Sequence, residues 1–352
     1  MKALFIGGTG TISTAITRRL STLPHWEVYL LNRGNRNSML PNHIKTITAD
    51  IDDEETVKKA IKDLDFDCVC DFIVMRPEQI ERDYRLFKGK TRQYMFISSA
   101  SAYQKPVGNY LITESTPLAN PFWEYSRQKQ ACEELLMRLY REEHFPVTII
   151  RPSHTYDERK VPLAVKGHKG SFQVLKRMKE GKPVIIQGDG TGLWTMTHNS
   201  DFAIAFTGLM ANQHAIGEAF HITSDETLTW NQIYQSIANA LGVPLKPYYV
   251  ASEFLAAVDH YDLRGSLLGD KSNSVVFDNT KVKRLVPEFI ATKRFDIGIR
   301  ETIQYIFSHP ECQIEDPEFD NWCDKIIAAQ EQAKQNVLSQ CTTMVPTNQH
   351  FP

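Results

Sequence analysis

Short apolar runs and amphipathic stretches alternate through the first 150 residues of this 352-residue chain. Residues 3–6, 27–31, 44–48, 68–74, 93–97 and 147–150 are the apolar runs, and each reads as a strand buried on both faces. Between them, apolar residues recur at helical spacing, as in Ile12, Ala15, Ile16 and Leu20, and again in Val57, Ala60, Ile61 and Leu64. Strand and helix in turn predict an α/β fold, a Rossmann-type doubly wound parallel sheet covered on both faces. The rhythm breaks near residue 155. Beyond it, strand-like pieces at 183–187 and 219–222 mix with helices near 171–180, 200–212 and 229–241. This predicts a smaller α+β lobe over 156–330, interleaved with a first domain of residues 1–155 and its returning segments. Residues 331–352 are polar without an apolar period and predict a flexible tail.

The first strand runs straight into Gly7-Gly8-Thr9-Gly10-Thr11-Ile12-Ser13, and a helix follows. Strand, glycine turn and helix in that order suit a pyrophosphate, because the free N–H groups and dipole of a helix N-terminus attract anions. Gly7 and Gly10 let the backbone approach such a ligand. Ser13 replaces the third glycine of the usual fingerprint. The turn marks residues 1–155 as a dinucleotide-binding domain.

Tyr125 and Lys129 stand four apart in a predicted helix, so phenol and ammonium share one face. A nearby ammonium favours the phenolate and lowers its pKa, which would fit the tyrosine for proton transfer at a carbonyl. Upstream, Met95-Phe96-Ile97-Ser98-Ser99-Ala100-Ser101-Ala102-Tyr103 is a strand that ends in small hydroxylated residues.

The glycine turn, Ser-Ser-x-x-x-Tyr at a strand end, Tyr-x-x-x-Lys, and Ile150-Arg151-Pro152-Ser153-His154-Thr155-Tyr156 resemble, in that order, the short-chain dehydrogenase/reductase superfamily, in its extended, epimerase/dehydratase-like branch. The resemblance covers residues 1 to about 300. It implies a nicotinamide-dependent oxidoreductase acting on a carbinol or carbonyl carbon. Tyr125 would be the acid/base and Ser99 the hydrogen-bond donor to the substrate oxygen, with Ser98 and Ser101 as competitors. Lys129 would hold the nicotinamide ribose. The cofactor would be held by Gly7, Thr9, Gly10, Thr11, Ile12, Asn32, Arg33, Asp50, Ile51, Pro152 and His154. Ser101, Tyr103, Trp123, Trp194 and His198 are candidates for contact with substrate, and residues 75–78 for lining the pocket.

Cofactor choice turns on Leu31-Asn32-Arg33-Gly34-Asn35-Arg36, where no acidic residue awaits the adenosine ribose of NAD(H). Arg33 can face a 2′-phosphate, which favours NADP(H), whereas Asn32 can still bind a ribose hydroxyl, which leaves NAD(H) as the alternative. Asp50-Ile51 resembles the pair that holds adenine in the superfamily, or else Asp50 caps a helix. In Gly188-Asp189-Gly190-Thr191-Gly192-Leu193-Trp194, the last position is an arginine that clamps a diphosphate in nucleotide-sugar relatives. Trp194 instead implies an apolar or stackable ring or an uncharged sugar, unless it is simply core.

A net charge of −2 gives no general attraction to nucleic acid or membranes. No apolar run is long enough to span a bilayer and no leader is evident, so a cytoplasmic protein is expected. Six cysteines without metal-ligand spacing suggest reduced thiols and no metal. Phe220-His221-Ile222 and Asp270-Lys271-Ser272-Asn273-Ser274 resemble a divergent branch that includes chloroplast stem-loop RNA-binding proteins. RNA binding, with Lys166, Lys169, Lys176, Arg177 and Lys179 as a local basic patch, and cofactor sensing without turnover are therefore rival readings. The sequence leaves a homodimer through the helix carrying Tyr125 open.

Overall fold

The computed structural model describes residues 1–34, 44–258 and 260–342. Five strands, β1 (Lys2–Ile6), β2 (Glu27–Asn32), β3 (Lys45–Thr48), β4 (Cys68–Asp71) and β5 (Tyr94–Ile97), alternate with helices α1 (Thr11–Leu20), α2 (Glu54–Ala60) and α3 (Pro77–Phe87). After a two-residue β6 (Leu111–Ile112) come α4 (Glu124–Glu143), β7 (Val147–Pro152) and β8 (His154–Tyr156). The main sheet has seven parallel strands, in the order Ala219–Ile222, β7, β5, β4, β1, β2, β3. From β1 the chain winds outward through β2 and β3, then returns to β1 with β4 and winds the other way. The carboxyl ends of β1 and β4 thus flank the switch point, where such sheets open a crevice for ligands.

Every residue of β4, β5 and β7 is buried, as helices on both faces require. On one face Ile16 and Leu20 of α1 pack with Phe202 and Phe206 of the helix Asn199–Leu209. On the other, Val57, Ile80, Leu86 and Leu136 close the core. A third core, with Trp194, Trp230, Tyr234 and Phe295, builds the later segments.

Three details differ from the sequence reading. β4 stops at Asp71 rather than running to residue 74, because the Asp71 carboxylate accepts the N–H groups of Ile73 (2.6 Å) and Val74 (2.8 Å) and turns the chain. The apolar segment Ala219–Ile222 returns to pair with β7 as the edge of the main sheet. Finally, the expected tail begins as helix, since Pro317–Thr342 is continuous. Pairs one turn apart, Lys334 with Glu331 and Gln332 with Asn336, support it where no apolar stripe does. The rest of that tail, residues 343–352, and Asn35 and Arg36 beside the cofactor motif lie outside the described residues. No helix among the described residues is long and apolar enough to cross a membrane.

Candidate active site

Two cavities open along the carboxyl edge of the sheet. The larger, about 550 Å³, has Gly7, Thr9, Gly10, Asn32, Arg33, Asp50 and Ile51 in its wall. Gly7 has φ +82°, and a Cβ there would sit 2.3 Å from Ile73 Cγ2, so both backbone and space demand glycine. Ser13 does more than fill in for a glycine: its hydroxyl accepts from Gly10 N–H (2.8 Å) and donates to the Gly7 carbonyl (3.0 Å), which fastens the turn. Thr11 and Ile12 open α1 but do not line this cavity, and Ile12 packs against the core.

The donors here suit an adenine dinucleotide. Asn32 Oδ1 accepts from Gly34 N–H (2.7 Å), whereas its Nδ2 is buried without a partner among the described residues, a donor that a ribose hydroxyl would satisfy. Arg82, which the sequence reading missed, also lines the cavity, but its guanidinium is held by Asp52 (2.6 Å) and Asp83 (2.9 Å). Ile73 and Gln79 line it too, whereas residues 75–78, expected to line the substrate pocket, line neither cavity. Gln79 Oε1 instead accepts the N–H groups of Met75 and Arg76 at the start of α3.

The smaller cavity, about 280 Å³, brings together Ser99, Ser101, Trp123, Tyr125, Pro152 and His154 with Asp270 and Lys271. Ser99 caps a 3₁₀ turn directly after β5, accepting from Ser101 N–H (3.1 Å), and its hydroxyl lies 2.8 Å from that of Ser101. Ser126 Oγ donates to Ser101 in turn (2.8 Å). Ser98 is excluded from the serine role by its own contact, since its buried hydroxyl donates to Glu133, which pairs with Arg151 (2.5 Å). Tyr125 begins α4, with the Trp123 ring 5.0 Å away. His154 is half-buried, its Nδ1 buried and unpartnered among the described residues, and desolvation with the fields of Lys271 and Lys166 holds it well below its ordinary pKa.

The expected electrostatics of the Tyr-Lys pair do not hold in this geometry. Burial raises the Tyr125 pKa, a hydrogen bond with Ser99 opposes the rise, and the Asp270 carboxylate adds to it. Lys129 turns its ammonium to the carbonyls of Val74 (2.6 Å) and Ile97 (2.7 Å), and burial pulls it down to about 8.

Three residues expected near substrate are structural. Tyr103 is 1% exposed, with its hydroxyl 3.1 Å from His221 Nδ1 and accepting from Arg151 (3.2 Å), inside a buried network. Trp194 is core, stacked on Trp230 at 5.6 Å, so it reports nothing about a substrate ring. His198 caps the helix Asn199–Leu209, accepting from Ser200 N–H (3.2 Å). Two members of the expected basic patch are engaged elsewhere, Arg177 buried against Asp320 and Asp324 and Lys176 paired with Glu315, whereas Lys166, Lys169 and Lys179 are exposed. Conversely, Asp270 and Lys271 reach the site although no role was read for them. Their signal was a charged pair following the small and apolar Leu267-Leu268-Gly269.

The profile of the NAD dependent epimerase/dehydratase family matches residues 3–223. The chain is 24% identical over 289 residues to 2'-dehydrokanamycin reductase of Streptomyces kanamyceticus, covering 82% of this chain and 80% of that one. It is 27% identical over 256 residues to chloroplast stem-loop binding protein of 41 kDa b of Arabidopsis thaliana, covering 69% and 64%. Among solved structures, UDP-glucuronic acid 4-epimerase from Bacillus cereus in complex with NAD superposes with a TM-score of 0.69 at 20% identity, over 88% of this chain and 99% of that chain. The dTDP-glucose 4,6-dehydratase from Bacillus anthracis in complex with NAD gives 0.68 at 21% identity, over 88% and 98%. At such identities the structural likeness shows the doubly wound fold.

Proposed function

Because the chain belongs to the NAD dependent epimerase/dehydratase family, a family of nicotinamide-dependent enzymes, we propose that it moves a hydride between a nicotinamide and a carbinol or carbonyl carbon of a small, sugar-like substrate. The observation that carries this reading is one cavity shared by the hydroxyls of Ser99 and Tyr125, on the same sheet edge as the glycine-turn cavity. Gly7, Thr9, Gly10 and the first turn of α1 would hold the pyrophosphate, Asp50 and Ile51 the adenine, and Pro152 and His154 the nicotinamide end. The bound nicotinamide supplies a hydride acceptor or donor.

Tyr125 acts as the acid/base and Ser99 steadies the substrate oxygen as charge develops on it. Since the Tyr125 phenol is raised above its ordinary pKa, it is protonated at neutrality, and the free enzyme is poised to donate a proton to a carbonyl. Ser101 and Ser126 fix the direction of the Ser99 hydroxyl. Lys129, with two carbonyl acceptors, keeps a third N–H for the nicotinamide ribose. Arg33 favours NADP(H): among the described residues it is the exposed cation of the adenosine cavity, where Arg82 is committed to carboxylates. Net redox, epimerisation and dehydration all begin with this hydride transfer.

Binding of NAD(H) and NADP(H), followed by a screen of sugar alcohols and ketoses for cofactor-linked turnover, tests the reading. Tyr125→Phe should bind cofactor as the parent does yet lose about a hundredfold or more in turnover. Failure of either dinucleotide to bind, or undiminished turnover in Tyr125→Phe, would overturn it. A second reading, RNA binding, is favoured by the likeness to the Arabidopsis stem-loop binding protein. It predicts an affinity for hairpin RNA that falls steeply with salt.

A further inference from the structure

The pocket beside Tyr125 is closed by an eight-residue π-helix, Arg264–Lys271, whose last two residues are Asp270 and Lys271. Long π-helices are rare and cluster at functional sites. This one is fitted closely to the catalytic helix. A Cβ on Gly265 would stand 2.1 Å from Trp123 Cδ1, and one on Gly269 would stand 2.9 Å from Trp123 Cβ. Asn120 Nδ2 donates both to the Gly269 carbonyl (2.6 Å) and to the Ser101 carbonyl (2.7 Å), linking the π-helix to the serine turn. Trp123 Nε1 donates to Asp262 (2.9 Å), and Trp230 Nε1 to the Lys271 carbonyl (3.0 Å). Asp270 and Lys271 are therefore held on both sides, as a recognition pair needs to be.

The two side chains form an ion pair in the wall of the cavity. Lys271 Nζ is 3.1 Å from Asp270 Oδ2, with side chains 14% and 15% exposed, and 5.5 Å from the centre of the Trp123 ring. Lys105, 4% exposed, is held below its ordinary pKa by burial, which the field of Asp270 opposes and that of Lys271 reinforces. Asp270 is the one side-chain acceptor of the Lys271 ammonium among the described residues, which leaves donors of that ammonium for the cavity. An ammonium with N–H donors left over beside a small cavity suits an anionic acceptor and repels a second cation.

We propose that Lys271, oriented by Asp270, receives an anionic oxygen group, a carboxylate or a phosphate ester, carried on the substrate close to the carbon that faces Tyr125. This rests on the oxidoreductase reading and narrows it. It places the substrate's acidic group in the reaction pocket itself, and Trp194 takes no part. It also argues against substrates with an amine at that position, because Lys271 would face it.

The test is calorimetric binding to the enzyme saturated with oxidised cofactor, using glucose, glucosamine, glucuronate and glucose 6-phosphate as probes, at low and moderate salt. At least one acidic probe should bind tenfold or more tightly than glucose, and glucosamine should bind most weakly. Preference for glucuronate or for glucose 6-phosphate distinguishes the two sources of charge. Lys271→Met should abolish the acidic preference, Lys271→Arg should keep it, and both should bind cofactor as the parent does. Equal binding of neutral and acidic probes, tighter binding of glucosamine, or a preference that survives in Lys271→Met would overturn the proposal. If cofactor binds and Tyr125-dependent turnover persists in those cases, only the substrate inference falls; if cofactor fails to bind at all, the oxidoreductase reading falls first.

Discussion

The Lys129 ammonium lies 2.7 Å from the Ile97 carbonyl, so it braces the end of β5 while standing 5.8 Å from the centre of the Tyr125 ring. Burial without a carboxylate partner brings its pKa down to about 8 from the ordinary 10.5. Between those values the unfolded chain binds the proton more tightly than the folded one, so this group makes stability rise with pH across that window. Below about 8 both states carry the proton and the cost of burying the charge is present in full. The gain should approach about 3 kcal/mol. Urea unfolding of the parent and of Lys129→Met at pH 7.5 and near pH 10 measures it: the parent should gain on the variant as pH rises. A difference between the two that stays flat with pH would refute this account.

Adjacent serines should fail in opposite ways. Ser98 donates to the buried Glu133 carboxylate, whereas Ser99 faces the cavity. Ser98→Ala removes a hydrogen bond to a charged acceptor and should cost about 1.5–3 kcal/mol of stability. Ser99→Ala loses the cap of the 3₁₀ turn, should cost only about 1 kcal/mol of stability, and should lower kcat by about a hundredfold, as loss of an oxyanion donor does. Parallel thermal melts and steady-state assays separate the two. A stable, inactive Ser98→Ala would assign the donor role to the wrong serine here.

The same comparison shows what a linear sequence can and cannot reveal. The parallel sheet and glycine turn were legible because their causes are local: apolar runs buried on both faces, and a left-handed Gly7 with no room for a side chain. Ser99 and Tyr125 were legible from motif order, and both reach one cavity. Tyr103, Trp194 and His198 were misread because an aromatic or imidazole beside a motif looks the same whether it faces a cavity or a core. Only the positions of His221, Trp230 and Ser200 decide the matter. Asp270 and Lys271 carried no readable role because a π-helix, whose register follows no common period, swings them back over α4.

Glu133 and Arg151 form a buried pair at 2.5 Å, with side chains 3% and 7% exposed, beneath the serine turn. Arg151 also donates to Tyr103 and to the Glu114 carbonyl. Removing one partner strands the other charge in low dielectric, so Glu133→Ala should cost about 3–5 kcal/mol in denaturant unfolding. Replacing both by methionine should recover much of that loss, because neither charge then remains to be desolvated. A single variant as stable as the parent would mean that water reaches the pair.

Cofactor selectivity gives the sharpest test at the adenosine end. Arg33 is exposed in the wall of the larger cavity, β2 ends on Asn32 without a carboxylate, and Asn32 spends its oxygen on Gly34. A 2′-phosphate placed there would gain a charge-assisted contact, with a typical worth of about 1.5–3 kcal/mol. Arg33→Ala should therefore weaken NADP(H) by roughly tenfold to a hundredfold while NAD(H) changes little. The NADP(H) affinity of the parent should also fall more steeply with salt than that of the variant. Dissociation constants by fluorescence titration, for both cofactors and both proteins, decide the point. Equal affinity for the two cofactors in the parent, unmoved by Arg33→Ala, would make Asn32 the ribose ligand and the enzyme indifferent to the phosphate.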